Sequence, residues 1–365
     1  MKSICFFSGN VDMSGGTERV SFDIANALCD RGYKIRFLSL DNGKNPFYFL
    51  KEEIPLHSLH LEGKSKKWNI ISIIKSLRLF LKEHNIDYII DIDIILSIYS
   101  IPATLNLPTE VISWEHFNYF AKVGTTRQNL ERQMARYLAS RRAKIIITLT
   151  DKDRDYYLEN LNCKAEVITM FNPSSIKKSQ RSNLQKKVII AVGRLTYQKG
   201  FDLLLPAWEV VKRENSDWIL KIIGSGEDEQ MLKDMAVELN IQDSVEFIPN
   251  TKGIEKYYLN ASIYVMSSRF EGFGLVLTEA KAFGLPLVSF DCDCGPSDII
   301  RDNIDGILVE ENDIGGLSKA MLDLIQHSDK RVAMGEEGFL DNRFELNGIV
   351  DKWENLFISS DGERK

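Results

Sequence analysis

The sequence predicts an α/β protein made of two doubly wound parallel-sheet halves that face each other across a cleft. Three observations carry this. Short apolar runs alternate with amphipathic segments along almost the whole chain. Each half opens with an apolar run, a glycine-bearing turn and a helix, in "SICFFSGNVDMSGGTERV" and again in "VIIAVGRLTYQKGFD". Finally, 365 residues exceed one ordinary core and suit two domains.

The first half reads strand, loop, helix, strand. "SICFFS" is a short apolar run, and "GNVDMSGG" is a loop. "TERVSFDIANALCDRG" sets Val20, Ile24, Ala27 and Leu28 on one helical face, with Gly32 as the stop. "KIRFLSL" is the next strand, and such a βαβ start favours a parallel sheet with right-handed crossovers. "WNIISIIKSLRLFLKEHN" is helical, "DYIIDID" a strand, and "EVISWEHF" a strand running into a loop. "RQNLERQMARYLASRR" is a helix; "KIIITLT" and "AEVITM" are strands.

The second half repeats the alternation. "VIIAVGRL", "WILKIIG", "VEFIP", "SIYVMSS" and "PLVSF" are strands. "GFDLLLPAWEVVKREN", "GEDEQMLKDMAVELN", "KGIEKYYLN", "FGLVLTEAKAFG", "GPSDIIRDN" and "DIGGLSKAMLDLIQ" are helices. Residues 173–187 carry a proline, are polar and show no period, so they read as a linker. The expected domains are 1–172 and 188–342, with 343–365 as a terminal segment. Both halves are of the Rossmann-like kind. Open sheets of that kind bind ligands beyond the carboxyl ends of their strands, and two of them make the gap between them the natural site.

Bulk properties exclude several classes. Hydrophobic residues form 44% and charged residues 27%, as in a soluble globular protein. A net charge of -6 argues against a general nucleic-acid binder. Five cysteines without regular spacing read as reduced thiols in a cytosolic protein. Cys292 and Cys294 in "DCDCG" are half a metal site with no second pair nearby, and His57 and His60 in "HSLH" have no acid or thiol beside them. "MKSICFFSGN" is too short an apolar stretch for a secretory leader, and no run reaches the roughly 18 to 20 apolar residues that span a bilayer.

Four stretches could carry chemistry. In "SGGTERV", Ser14, Gly15 and Gly16 precede a helix whose dipole favours an anion, although the same residues also suit a plain strand-to-helix turn. In "VGRLTYQKGFD", Gly193 ends a strand and Arg194 and Lys199 follow, two cations suited to a diphosphate or to a solvated basic loop. "GSGEDEQ" places Gly224, Gly226 and Glu227 at a turn that reverses the chain or shapes a cleft. "SRFEGFGLVLTEA" sets Glu271 in a loop and Glu279 inside the helix that follows, with Phe273, Gly274 and Leu275 offering N–H groups at the helix mouth. A carboxylate on either side of an anion site fits a nucleotide sugar, which has hydroxyls on both sides of its diphosphate.

With these residues the chain resembles glycosyltransferase family 4, retaining enzymes of GT-B architecture. The motifs are "GGTERV", "WEHF", "VGRLTYQKGFD", "IIGSGEDEQ" and "SSRFEGFGLVLTEAKAFGLPLVSFD", the last being the family's paired-glutamate signature. "CGPSDIIRDNIDGILV" resembles the segment after the signature in bacterial surface-polysaccharide members. The resemblance implies that Glu271 holds donor-sugar hydroxyls and Glu279 the ribose. It implies that Arg194 and Lys199 neutralise the leaving diphosphate, that Gly16 lies near the phosphates, and that His116 stands beside the reacting carbon. By itself, His116 also reads as an ordinary loop histidine. The first domain would bind the acceptor and the second the nucleotide sugar, with "NGIVDKWENLFIS" a helix returning to the first.

The resemblance further implies transfer of a hexose or N-acetylhexosamine, with retention, from a donor expected to be UDP-linked to a lipid-linked or saccharide acceptor of a surface polysaccharide such as O-antigen, capsule, exopolysaccharide or lipopolysaccharide. No cofactor, metal or protein nucleophile is expected. Asp91 and Asp93 in "DID", and Asp291 and Asp293 in "DCD", read as local structure. Ile70, Ile71, Ile74, Leu77 and Leu81 stand in helical register among Lys64, Lys66, Lys67, Lys75, Arg78 and Lys82, and "RQNLERQMARYLASRRAKI" is a second basic helix. Together they suit peripheral contact with the cytoplasmic face of an anionic inner membrane; the alternative is ordinary packing on the sheet. A sugar-nucleotide epimerase, a phosphorylase and a silent GT-B binding partner are the rival activities.

Overall fold

The computed structural model describes residues 2–13, 15–41, 43, 45–59, 70–122, 124–251 and 253–358. Ser14, His60 and the lysines 64, 66 and 67 lie outside the described residues. The chain forms two units, Met1–Pro173 with Glu345–Lys365, and Ser174–Phe344.

The first unit runs β1 (Ser3–Ser8), α1 (Gly16–Asp30), β2 (Lys34–Ser39), β3 (Leu56–Ser58), α2 (Ile70–Glu83), β4 (Tyr88–Asp91), α3 (Ser97–Thr104), β5 (Glu110–Trp114), α4 (Thr126–Arg142), β6 (Ile145–Thr148), α5 (Asp151–Asn160) and β7 (Glu166–Thr169). Its seven strands lie in the order β3-β2-β1-β4-β5-β6-β7, with every pairing parallel. The chain therefore travels outward from β1 to β3, then resumes on the other side of β1 with β4. Loops after β1 and β4 leave in opposite directions, and a crevice opens between them.

The second unit runs β8 (Val188–Val192), α6 (Phe201–Glu214), β9 (Ile219–Ile223), α7 (Glu229–Glu238), β10 (Val245–Ile248), α8 (Glu255–Leu259), β11 (Ile263–Met266), α9 (Leu275–Ala282), β12 (Leu287–Phe290), α10 (Pro296–Ile299), β13 (Gly306–Val309), α11 (Ile314–Gln326) and α12 (Ser328–Leu340). Six parallel strands follow the order β10-β9-β8-β11-β12-β13. Here the order reverses between β8 and β11. The core collects Trp208, Leu220, Ile222, Val265, Val288, Phe290 and Met321 between helices and sheet. Trp208 satisfies its indole N–H on Ser244 Oγ at 3.1 Å, as a buried Trp requires.

Several elements differ from the sequence reading. Residues 174–187 are not a free linker but dock on the second unit. The Ser174 N–H donates to Phe344 O at 2.8 Å, and Ser182 donates its N–H to Phe283 O at 2.9 Å and its hydroxyl to Ala261 O at 2.5 Å. In α2 the buried stripe is Ile73, Leu77 and Leu81, while Ile70 and Ile71 are exposed, so the expected face is turned by about one residue. Arg78 caps a neighbouring helix end through Ala103 O and Leu105 O. Helices α3, α5 and α12 and strands β3 and β13 have no counterpart in the sequence reading.

The last helix, α13 (Leu346–Ile358), belongs to the first unit and packs against α1. Arg31 pairs there with Asp351 at 2.6 Å and with Glu354. Trp353 is fully buried, with ring centroids 5.0 Å from Trp114 and 6.4 Å from Phe6. Truncation of a buried aromatic of this size removes its transfer energy and leaves a cavity. Trp353→Ala should cost about 3–5 kcal/mol of unfolding free energy. Urea unfolding monitored by tryptophan fluorescence checks this.

Candidate active site

In the second unit the crevice at the order reversal lies between the loops that follow β8 and β11. Gly193, Arg194 and Lys199 are on the first loop; Glu271, Phe273 and Gly274 are on the second. The two loops, 72 positions apart at Lys199 and Glu271, meet in one ion pair. Lys199 Nζ lies 2.5 Å from Glu271 Oε1, with both side chains mostly buried. Ser268 Oγ donates to the same Glu271 oxygen at 2.6 Å. The carboxylate is thus held by an ammonium and a hydroxyl. Arg194, on the same loop as Lys199, is exposed.

The close approach of the loops dictates two glycines. At Gly200, φ is +61°, and a Cβ would stand 2.1 Å from Ser267 O. At Gly224, φ is +154°, and a Cβ would stand 1.9 Å from Gly193 O. Gly224 is therefore explained by backbone packing behind the Gly193 loop.

Gly274 caps α9, and Leu275 is its first residue. One turn inside, Glu279 Oε2 accepts the Tyr258 hydroxyl at 3.0 Å. Tyr258 is buried and stacks on Phe283 at 5.2 Å with an 8° tilt, which fixes the hydroxyl. Phe273 is buried against the Phe344 ring. Tyr258 and Ser268, the hydrogen-bond partners of the two candidate glutamates, are residues that sequence reading missed. Ser268 lies inside the signature stretch, but Tyr258 is 21 residues from Glu279 and carries no motif.

In the first unit His116 follows β5 and is buried, its ring 4.4 Å from that of Trp114. Burial pushes its pKa down to about 3, against the opposing pull of the Glu115 charge, so the imidazole is neutral at physiological pH. The His116 Nε2 has no hydrogen-bond partner among the described residues. Glu115 anchors the loop. Its Oε1 accepts the backbone N–H groups of His116 and Phe117, each at 3.1 Å, and Arg132 at 3.1 Å. Its Oε2 accepts Arg136 Nε at 2.8 Å and the Tyr157 hydroxyl at 2.7 Å. Burial alone would raise the Glu115 pKa, but the guanidiniums of Arg136 and Arg132 hold it below its usual value.

Gly15 and Gly16 open α1 after β1, at the order reversal of the first sheet. Glu18 stands in the same first turn, and burial raises its pKa. The "DID" and "DCD" aspartates make contacts within their own units. Asp91 accepts Ser97 at 2.7 Å and Ser100 at 2.6 Å, Asp93 takes both guanidinium nitrogens of Arg132, and Asp293 O accepts the Glu271 N–H at 3.4 Å.

Two doubly wound parallel-sheet units, one carrying a lysine–glutamate pair at its order reversal, have the architecture of a GT-B glycosyltransferase. The chain belongs to glycosyltransferase family 4 and has the GT-B fold. The family described as Glycosyltransferase Family 4 matches residues 14–173, and that described as Glycosyl transferases group 1 matches residues 173–341. An uncharacterized glycosyltransferase of Haemophilus influenzae is 36% identical over 98% of this chain and 100% of its own length. The lipopolysaccharide 1,6-galactosyltransferase of Escherichia coli is 24% identical over 80% of each chain. The structure of Anabaena Alr3699/HepE, solved in complex with UDP, superposes with a TM-score of 0.82 at 17% identity, covering 98% of this chain and 100% of that one.

The neutral His116 has a consequence for acid stability. An unfolded histidine titrates near 6.5, so it takes up a proton that the folded, buried imidazole refuses until about pH 3. The stability contributed by the neutral imidazole is fully present above pH 6.5 and is lost as pH falls from there toward about 3. The His116 ring signals should not shift between pH 5 and 8 in NMR. His116→Gln should flatten the decline of unfolding free energy below pH 6.5 relative to the parent protein.

Proposed function

We propose that this glycosyltransferase moves a hexose or N-acetylhexosamine, with retention, from a UDP-sugar to a lipid-linked or saccharide acceptor in bacterial surface-polysaccharide biosynthesis. The observation that carries this reading is the Lys199–Glu271–Ser268 group at the switch point of the second sheet. It offers a cation for a diphosphate and a carboxylate for sugar hydroxyls within one hydrogen-bonded unit. Likeness to a UDP-bound fold and to a lipopolysaccharide galactosyltransferase supports the donor and acceptor classes.

In this reading the second unit binds the donor and the first the acceptor. Glu279, oriented by Tyr258, accepts the ribose hydroxyls. Arg194, Lys199 and the N–H groups of Phe273, Gly274 and Leu275 take the charge that grows on the diphosphate as the bond from its oxygen to sugar C1 breaks. The Gly15–Gly16 turn adds a second helix mouth near the phosphates. The acceptor hydroxyl forms the new bond to C1 on the face the diphosphate leaves, and its proton passes to the departing phosphate oxygen. His116, neutral, is a hydrogen-bonding group beside the reacting carbon rather than a cation. Positive side chains and peptide dipoles supply the charge stabilisation that a metal ion provides in other transferases.

Acceptor delivery involves the outer face of the first unit. Among the described residues no helix is long and apolar enough to cross a membrane. Helix α3 packs against both α2 and α4. On α4, Leu130, Met134 and Tyr137 are exposed at helical spacing, and Arg127, Arg141 and Arg142 lie toward its ends. On α2, Ile71 and Leu79 are exposed. Apolar side chains flanked by cations suit an anionic lipid surface.

Two experiments test the reading. Glu271→Gln should lower turnover of the accepted UDP-sugar by about 10²–10³-fold, with the fold retained by circular dichroism. In the same assay the parent rate should survive a chelator, and unchanged turnover in the variant would remove Glu271 from the site. In flotation, the protein should bind vesicles containing phosphatidylglycerol at low salt and not neutral phosphatidylcholine vesicles. Leu130→Ser/Met134→Ser should weaken that binding, and equal binding to both vesicle types would contradict it.

A further inference from the structure

The loops after β8 and β11 are locked together by Arg269, two residues before Glu271. Its Nη1 donates to Asp202 Oδ1 at 2.8 Å and its Nη2 to Asp202 Oδ2 at 2.6 Å, a fork-on-carboxylate pair into the first turn of α6. Nη1 also donates to Tyr197 O at 2.8 Å, and the guanidinium lies 4.1 Å over the Tyr197 ring. The Arg269 N–H donates to Gln198 O at 2.8 Å, and Gln198 Nε2 returns to Phe270 O at 3.0 Å. Ser267 Oγ donates to Lys199 O at 3.0 Å. These bonds bracket Lys199 on one loop and run up to Glu271 on the other.

The Arg269 and Asp202 side chains keep 15% and 29% of their exposure, so the pair is partly buried. Besides any contribution to stability, the pair fixes the loop that carries Glu271, and a misplacement of about 1 Å at a reacting group can cost about a hundredfold in rate. Asp202 already neutralises Arg269. The arginine is therefore not a spare cation for the donor, and what it supplies is geometry.

We propose that Arg269, through Asp202, is a positioning residue that sets Lys199 against Glu271 so that the ammonium meets the outer phosphate of the donor. This rests on the function proposed above. Because Arg269 acts through the loop, its loss affects recognition of the outer phosphate and spares the nucleoside end, where Glu279 and Tyr258 sit on α9 and α8.

Calorimetric titration with UDP and with UMP tests this without an acceptor. Lys199→Ala is the reference, and Arg269→Gln, Asp202→Asn, their double variant and Arg269→Lys are compared with it. Lys199→Ala and Arg269→Gln should each reduce the preference for UDP over UMP about tenfold, the worth of one charge-assisted contact. UMP affinity should change by less than about twofold, the double variant should lose no more than either single one, and Arg269→Lys should not restore the preference, because an ammonium cannot reproduce the fork. If Lys199→Ala lowers the preference and Arg269→Gln does not, the positioning role is wrong and the site reading stands. If Arg269→Gln weakens UMP and UDP alike, its role is general structure and the proposal falls. If UDP does not bind, or Lys199→Ala leaves the preference unchanged, the site reading fails and takes the inference with it. Should Arg269→Gln not fold, Asp202→Asn and Arg269→Lys carry the same comparison.

Discussion

The contact between the Lys199 ammonium and the Glu271 carboxylate governs the layout of the second unit. Both groups are mostly out of water, and a buried charge without a partner is costly. Each therefore needs the other until a ligand takes its place. A diphosphate can replace Glu271 as the partner of Lys199, and sugar hydroxyls can replace Lys199 as donors to Glu271. In the proposed reading, binding exchanges hydrogen bonds rather than creating them, and the cost of desolvation is met on folding. The all-parallel sheet supplies the place, the order reversal between β8 and β11, where open sheets of this kind bind their ligands.

The first unit treats buried charge differently. Glu115 is surrounded by Arg132, Arg136, the Tyr157 hydroxyl and two backbone N–H groups, and Asp93 shares Arg132. No member of that network is free to change partner without leaving another unpaired, and breaking such a set is strongly unfavourable. The network holds the backbone of the His116 loop while the ring itself stays neutral, with Nε2 unpartnered among the described residues. An exchangeable pair and a locked network thus serve different ends: one receives charge, the other fixes a neutral group.

What the sequence makes legible follows from this division. Lys199 and Glu271 stand out because glycine turns after apolar runs mark strand ends, and charged residues there are conspicuous. The Arg269–Asp202 pair is invisible, since 67 positions separate the two and neither breaks a period. Helix α3 escapes notice because Pro102 interrupts it and its residues are buried on most sides. Helix α5, "DKDRDYYLEN", buries only Asp153 and Tyr157, so no apolar stripe announces it. The turned face of α2 has a similar cause. Isoleucines at 70, 71, 73 and 74 offer two overlapping stripes, and only tertiary packing decides that Ile73 goes inward.

The C-terminal helix completes the argument about distance. Trp353 packs on Trp114, and the Trp114 ring lies 4.4 Å from that of His116. A residue near the end of the chain therefore backs a loop near position 116, as Asp202 backs a loop near position 270. In both units the group that would touch the ligand sits in a recognisable local motif, while the group that holds it comes from a remote element. A ligand needs its own contacts at fixed separations, which short motifs can encode. The stiffness that keeps those separations has to come from elements that packing, not sequence proximity, brings alongside.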